Sequence, residues 1–123
     1  MTVLHQRFVN AAEVEGPLDI HPVAGRIGAE IRGIDLSAPI EDATVDAIRV
    51  ALIRHKVIFF RGQNGLDDAG HEALAARLGA PVAHPTVPTA EGSRYLLNLE
   101  SREGFAASSW HTDVTFVPAY PEA

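Results

Sequence analysis

The stretch Trp110-His111-Thr112-Asp113-Val114-Thr115-Phe116 alternates in the manner of a β-strand, and a strand over 110–117 is predicted from it. Positions i and i+2 of a strand point to one face, so His111 and Asp113 would present an imidazole and a carboxylate side by side. Two neighbouring ligands of a two-His-one-carboxylate metal site need that adjacency, with the remaining positions left open for a cosubstrate and O₂. The pair alone is a weak signal. With six His and seven Asp in 123 residues, one chance His-x-Asp arises about a third of the time. A polar pair on the exposed face of a strand is the other reading of the same residues.

Downstream, Pro118-Ala119-Tyr120-Pro121 breaks this strand. Upstream, Ser101 to Ser109 is small and polar and reads as a loop, Tyr95 to Leu99 as a strand, and the Pro-rich Val82 to Glu91, with His84-Pro85, as a second loop. A helix running to Leu78 is capped by Asp67 or Asp68, carries Leu74 and Leu78 on one face, and is stopped by Gly79 and Pro81. Val57-Ile58-Phe59-Phe60 reads as a strand buried on both faces, with Phe59 and Phe60 in the core. The clearest helix spans Glu41 to His55. Val45, Ile48, Leu52 and Ile53 fall on one face, Asp42 is the expected cap, and Arg54, His55 and Lys56 suit the negative end of the dipole. Leu18 to Val23 and Ile27 to Ile34 form a strand pair about Ala24-Gly25-Arg26. Residues 1–17 are expected to be a poorly ordered lead-in, leaving 18–123 as one α+β unit with helices packed on a mostly antiparallel β structure.

Composition narrows the function. A net charge of −6 does not fit a nucleic-acid partner, which needs a basic face, nor an anionic membrane surface. The absence of cysteine excludes disulfides and thiolate metal sites, so any metal must be held by His, Asp, Glu or backbone oxygen. The first residues carry no basic segment followed by a long apolar stretch, and the longest apolar run is far too short to span a bilayer; a soluble cytoplasmic protein is expected.

Several blocks, in the same order and register, resemble one family. They are Ala24-Gly25-Arg26-Ile27-Gly28-Ala29-Glu30-Ile31-Arg32-Gly33-Ile34-Asp35-Leu36, then Lys56-Val57-Ile58-Phe59-Phe60-Arg61-Gly62-Gln63, then the His84-Pro85 loop, then Trp110 to Phe116 with the Pro-Ala-Tyr-Pro after it. They are similar to the taurine dioxygenase-like (TauD/TfdA) Fe(II)/2-oxoglutarate dioxygenases, and most like the alkylsulfatase branch. The resemblance runs from about residue 19 onward. It implies a double-stranded β-helix, or jelly-roll, core with flanking helices, of which this chain would be the N-terminal part. It implies an enzyme in which Fe(II) is held by His-x-Asp and a distant second His, and 2-oxoglutarate is the cosubstrate, anchored by an Arg with help from a Thr. The substrate would be a small anionic organosulfur compound, an alkyl sulfate ester or sulfonate. Hydroxylation next to the leaving group would release sulfate or sulfite and an aldehyde.

Carried over residue by residue, the resemblance makes His111 and Asp113 iron ligands and His84 the contact to the substrate anion, as an imidazolium. It places Val114 at the substrate pocket through its backbone N–H. Where the taurine enzyme has a Tyr and an Asn against taurine, this chain has Val87 and Ala107, which suits an alkyl chain better than an ammonium. Trp110 is expected to pack beside the metal strand and Arg61 to be a structural ion-pair group, and His5, His21, His55 and His71 are not expected to be ligands. The second His, the Thr and the Arg have no counterpart in these residues. The chain is therefore expected to be a truncated, inactive part of the enzyme, and a homo-oligomer because half a jelly roll leaves strand edges open. The alternative is a non-catalytic fragment or anion-binding module. A jelly-roll zinc hydrolase would need a third ligand that the sequence does not offer.

Overall fold

In the computed structural model, which describes residues 12–98, 109–112 and 115–118, the element order is β1 (Asp19–Pro22), β2 (Ala29–Arg32), α1 (Asp42–His55), β3 (Ile58–Phe59) and α2 (Asp68–Leu78). β1 and β2 form the expected antiparallel hairpin, with Ile20 opposite Ile31 and His21 opposite Glu30. The Val23 N–H closes it on the Gly28 carbonyl at 3.0 Å. Gly28 has φ +98°, and a Cβ there would lie 2.8 Å from Val23 Cγ2, so both backbone and space demand glycine.

β3 returns parallel to β2, with Ala29 opposite Ile58, after a crossover through α1. Parallel neighbours require such a crossover, because a tight turn cannot reverse the chain twice. The sheet is thus mixed rather than mostly antiparallel. Its inner face supplies Ile20, Ala29 and Ile31 to the core, with Leu18, Ile34, Ile58 and Phe60 half-buried around them. The alternate residues, Glu30 and Arg32, lie on the other face and pair with each other at 3.1 Å.

α1 buries Val45, Ile48, Ala51 and His55. That stripe is rotated from the predicted one. Leu52 is only half-buried and Ile53 is 68% exposed, while the small Ala51 lies 2% exposed in the sheet-facing core. Glu41, not Asp42, occupies the N-cap position, without a side-chain bond; Asp42 instead reaches Arg77 of α2 at 2.6 Å. Lys56 ends the helix at φ +66°, its N–H on the Leu52 carbonyl at 2.8 Å. The chain then enters β3 at once. The cap of α2 is as predicted: Asp67 Oδ1 accepts the Gly70 N–H at 2.8 Å.

Three predicted strands differ. The run over 57–60 contributes a strand of only two residues, and Phe59 is 42% exposed, because β3 lies at the sheet edge and the outer face has no second layer among the described residues. Residues 95–98 form no strand, Leu99 lying outside the described residues. The described part of 110–117 is coil and turn, with Trp110 fully exposed rather than packed. A strand holds only against a hydrogen-bonding neighbour, and none among the described residues lies beside it. A small sheet with two helices is present; the facing sheets of a jelly roll are not formed by the described residues. No helix among them is long and apolar enough to cross a membrane.

Two polar clasps hold the loops. Gln63 Oε1 accepts the Leu36 N–H at 2.7 Å, and Gln63 Nε2 donates to the Ile34 carbonyl at 2.9 Å and the Arg61 carbonyl at 3.0 Å. Arg77 donates to the Ile40 carbonyl, and Arg49 to the Arg77 carbonyl at 3.0 Å, tying α2 to α1. Of the lead-in, residues 1–11 lie outside the described residues. Ala12 N–H donates to the Gly25 carbonyl at 2.9 Å and Arg54 pairs with Glu15 at 2.9 Å.

Candidate functional site

His84 sits in the loop that leaves α2. Pro81, Pro85 and Pro88 deny that loop both helix and sheet, since each removes a backbone donor and fixes φ. The ring is half-buried. Its Nδ1 accepts the Val87 N–H at 3.1 Å and the Thr86 N–H at 3.2 Å. Two N–H donors aimed at Nδ1 require its lone pair, so the ring proton sits on Nε2. Val87 stands half-buried beside the ring.

His111 is exposed, with Nδ1 2.8 Å from the Ser109 carbonyl. A carbonyl only accepts, so Nδ1 carries a proton and donates it to Ser109. That is the arrangement in which imidazoles bind metals, the backbone carbonyl fixing tautomer and ring orientation. On this test His111 fits a metal ligand. Because 111–112 are not strand, the side-by-side placement drawn from strand geometry does not extend to the described residues; Asp113, Val114 and Ala107 lie outside them. Among the described residues, no group of three His, Cys, Asp or Glu side chains could hold a metal ion.

His5 lies outside the described residues, His21 pairs with Asp19 at 2.7 Å, and His71 is exposed on α2. His55 is buried to 1% exposure, and its Nε2 has no partner among the described residues. Burial, followed by the positive charge of Arg54, pushes its pKa down from 6.5. Arg61 is an ion-pair group, as expected, 3.4 Å from Glu30. The Glu30 carboxyl is held below the usual range by its bond to Arg32 first, and by the charges of Arg32 and Arg61. A cleft of about 410 Å³ between the 33–37 and 61–65 loops contains neither His84 nor His111.

Sequence reading passed over Glu72 on α2. Its Oε1 accepts the Ser93 hydroxyl, the Arg94 N–H at 2.9 Å and the Tyr95 N–H at 3.0 Å. No motif marks it, because its partners lie 21 to 23 residues away.

The family model described as taurine catabolism dioxygenase TauD, TfdA family matches residues 19–123. An alpha-ketoglutarate-dependent sulfate ester dioxygenase of Pseudomonas putida is 63% identical over 118 residues, 93% of this chain and 39% of that protein. An alkylsulfatase of Acinetobacter baylyi is 52% identical over 105 residues, 85% of this chain and 33% of that protein. Among solved structures, a taurine dioxygenase from Burkholderia xenovorans superposes with a TM-score of 0.55 at 37% identity, over 61% of this chain and 27% of that one. The chain spans 39% of the length of the first relative and 33% of the second.

Proposed function

The chain belongs to the taurine catabolism dioxygenase TauD, TfdA family, and from that premise we propose that it is the N-terminal part of an Fe(II)/2-oxoglutarate dioxygenase acting on small organosulfur anions. The observation that carries the proposal is its high identity, over nearly all its residues, with a sulfate ester dioxygenase. In the proposed reaction an alkyl sulfate, 2-oxoglutarate and O₂ give an aldehyde, sulfate, succinate and CO₂; a sulfonate gives sulfite in place of sulfate.

His111 and Asp113 would hold the metal, His111 through Nε2 with its tautomer set by Ser109. Bound Fe(II) and 2-oxoglutarate supply the oxidising power that turns O₂ against a C–H bond. This chain's other residues bind and orient. His84 donates Nε2–H to a sulfate oxygen, the Val114 N–H adds a second donor, and Val87 gives the alkyl chain an apolar wall. On this reading the rest of a jelly-roll core, a second His, and the Thr and Arg that anchor 2-oxoglutarate would belong to the length of the relatives that this sequence does not span. The reading places the protein in the cytoplasm, as a homo-oligomer whose contacts draw on open strand edges.

A fusion of residues 1–123 to the remainder of the Pseudomonas putida relative tests it. With Fe(II), 2-oxoglutarate and hexyl sulfate, the fusion is expected to release sulfate and succinate, and to stop when His111→Ala is introduced. The 123-residue chain alone is expected to turn nothing over. A folded fusion without sulfate release would sink the proposal. The second reading, an anion-binding module without catalysis, is favoured by the lack of a three-ligand cluster among the described residues, and predicts sulfate binding without metal binding.

A further inference from the structure

The loop carrying His84 starts and ends on the same helix. It leaves α2 at Gly79, whose N–H donates to the Ala75 carbonyl at 2.9 Å, and it returns to Glu72, seven residues back. At 1.5 Å per residue the two anchor points lie about 10 Å apart along the helix. Residues 80–92 therefore make a closed Ω-type loop, the class of loop that holds its shape by tying its ends.

The return end is tied by Glu72 alone among α2's carboxylates. The Ser93 hydroxyl that donates to Glu72 also accepts the Leu96 N–H at 2.8 Å and the Tyr95 N–H at 3.2 Å. The turn is further closed by Ala90 N–H on the Leu96 carbonyl at 2.7 Å and Ser93 N–H on the Ala90 carbonyl at 3.0 Å. One carboxylate thus gathers a hydroxyl and consecutive backbone N–H groups, charge-assisted bonds stronger than neutral ones. The Ser93 hydroxyl first, and the backbone N–H groups after it, hold the Glu72 carboxyl below the usual range, so it is ionised at neutral pH. Between this turn and Val87, which bonds His84, stand only Pro88 and Thr89. Pro88 fixes its own φ, so little chain freedom separates the tie from the His84 ring.

We propose that Glu72 is a positioning residue for the substrate anion: by clasping the 93–96 turn it closes the 80–92 loop on α2 and holds His84 with its Nε2–H available to a sulfate oxygen. The role in binding rests on the reading of His84 as an anion contact; the clasp itself does not.

The test uses the isotope-labelled 123-residue chain, wild type, Glu72→Ala and Ser93→Ala. Two quantities are read: hydrogen exchange of the Thr86 and Val87 amides, and the His84 ring shifts on titration with sodium sulfate. Both variants are expected to speed exchange at Thr86 and Val87 by at least about tenfold, as a locally opened loop does, with the Ile48 amide of α1 unchanged and sulfate binding weakened several-fold. Unchanged exchange at Thr86 and Val87 in a folded variant overturns the clasp, whatever sulfate does. Faster exchange with a wild-type His84 that ignores sulfate overturns the role in anion binding. Should Glu72→Ala speed exchange in α1 as well, Ser93→Ala, which leaves both helices intact, decides.

Discussion

Replacing Gln63 by Leu should cost about 2–3 kcal/mol of folding stability. The side chain joins the loop before α1 to the loop after β3 through the Leu36 N–H, the Ile34 carbonyl and the Arg61 carbonyl. The first two bonds are part-buried, and each contributes about 1 kcal/mol net; the third is exposed, and water replaces it at little cost. Leu fills a similar volume but leaves the Leu36 N–H without its acceptor, which adds roughly 1 kcal/mol. Against the 5–15 kcal/mol typical of a domain this is a large share. Urea unfolding followed by circular dichroism should show the midpoint fall by roughly 1–2 M at unchanged slope. Gln63→Glu refines the test, because it keeps the acceptor for Leu36 but sets a carboxylate against two carbonyls. It should be destabilising at neutral pH and less so in acid, where the carboxyl can donate. A Gln63→Leu loss below about 0.5 kcal/mol would show that solvent already satisfies these loops and would refute the clasp.

Three further outcomes are expected. His55 is buried with its pKa lowered from 6.5, so the fold prefers the neutral ring: its contribution is complete above pH 6.5 and is lost as pH falls below it, at up to about 1.4 kcal/mol per pH unit, and His55→Leu should flatten that part of a stability–pH curve. Asp67→Ala removes the cap bond to Gly70 and should cost about 0.5–2 kcal/mol in thermal unfolding, whereas Glu41→Ala, at a cap position without a side-chain bond, should cost less. Anaerobic titration of the 123-residue chain with Fe(II) and 2-oxoglutarate should give no metal-to-cosubstrate charge-transfer band; a band lost in His111→Ala would mean that further ligands are being supplied, for instance by a second copy.

What the sequence made legible was local. Ala24-Gly25-Arg26 marks the hairpin because turn chemistry lies within a few residues, and Asp67 reaches only as far as Gly70. α1 was legible as a helix but not in its rotation. Periodicity admits both Leu52 and Ile53 to the apolar stripe, and only the sheet decides that Ala51 and His55 face inward. Phe59 looked like core because Val57 to Phe60 is uniformly apolar; whether a strand is covered on both faces depends on neighbours far along the chain. Gln63 and Glu72 were invisible for the same reason: apart from the Arg61 carbonyl beside Gln63, their partners lie 21 to 29 residues away. The tautomer of His84 could not be read either, since nothing in His84-Pro85-Thr86-Val87 announces that two N–H groups will converge on Nδ1.

The two halves of the candidate site therefore stand on different footings. The His84 loop is tied at both ends to α2, whose cap and Arg77 contacts lie within the first hundred residues. The His111 segment has the donor chemistry of a metal ligand, but among the described residues no strand lies beside it: Trp110 and Phe116 flank it exposed, and a strand that would place Asp113 beside His111 needs a hydrogen-bonding neighbour. Anion recognition and metal binding should accordingly separate in this chain. On the proposed reading, the His84 contact is held by bonds within residues 72–96, while the His111–Asp113 pair would gain from strand pairing, so a partner or added length that supplies the neighbouring strand should raise metal affinity without changing how His84 is held.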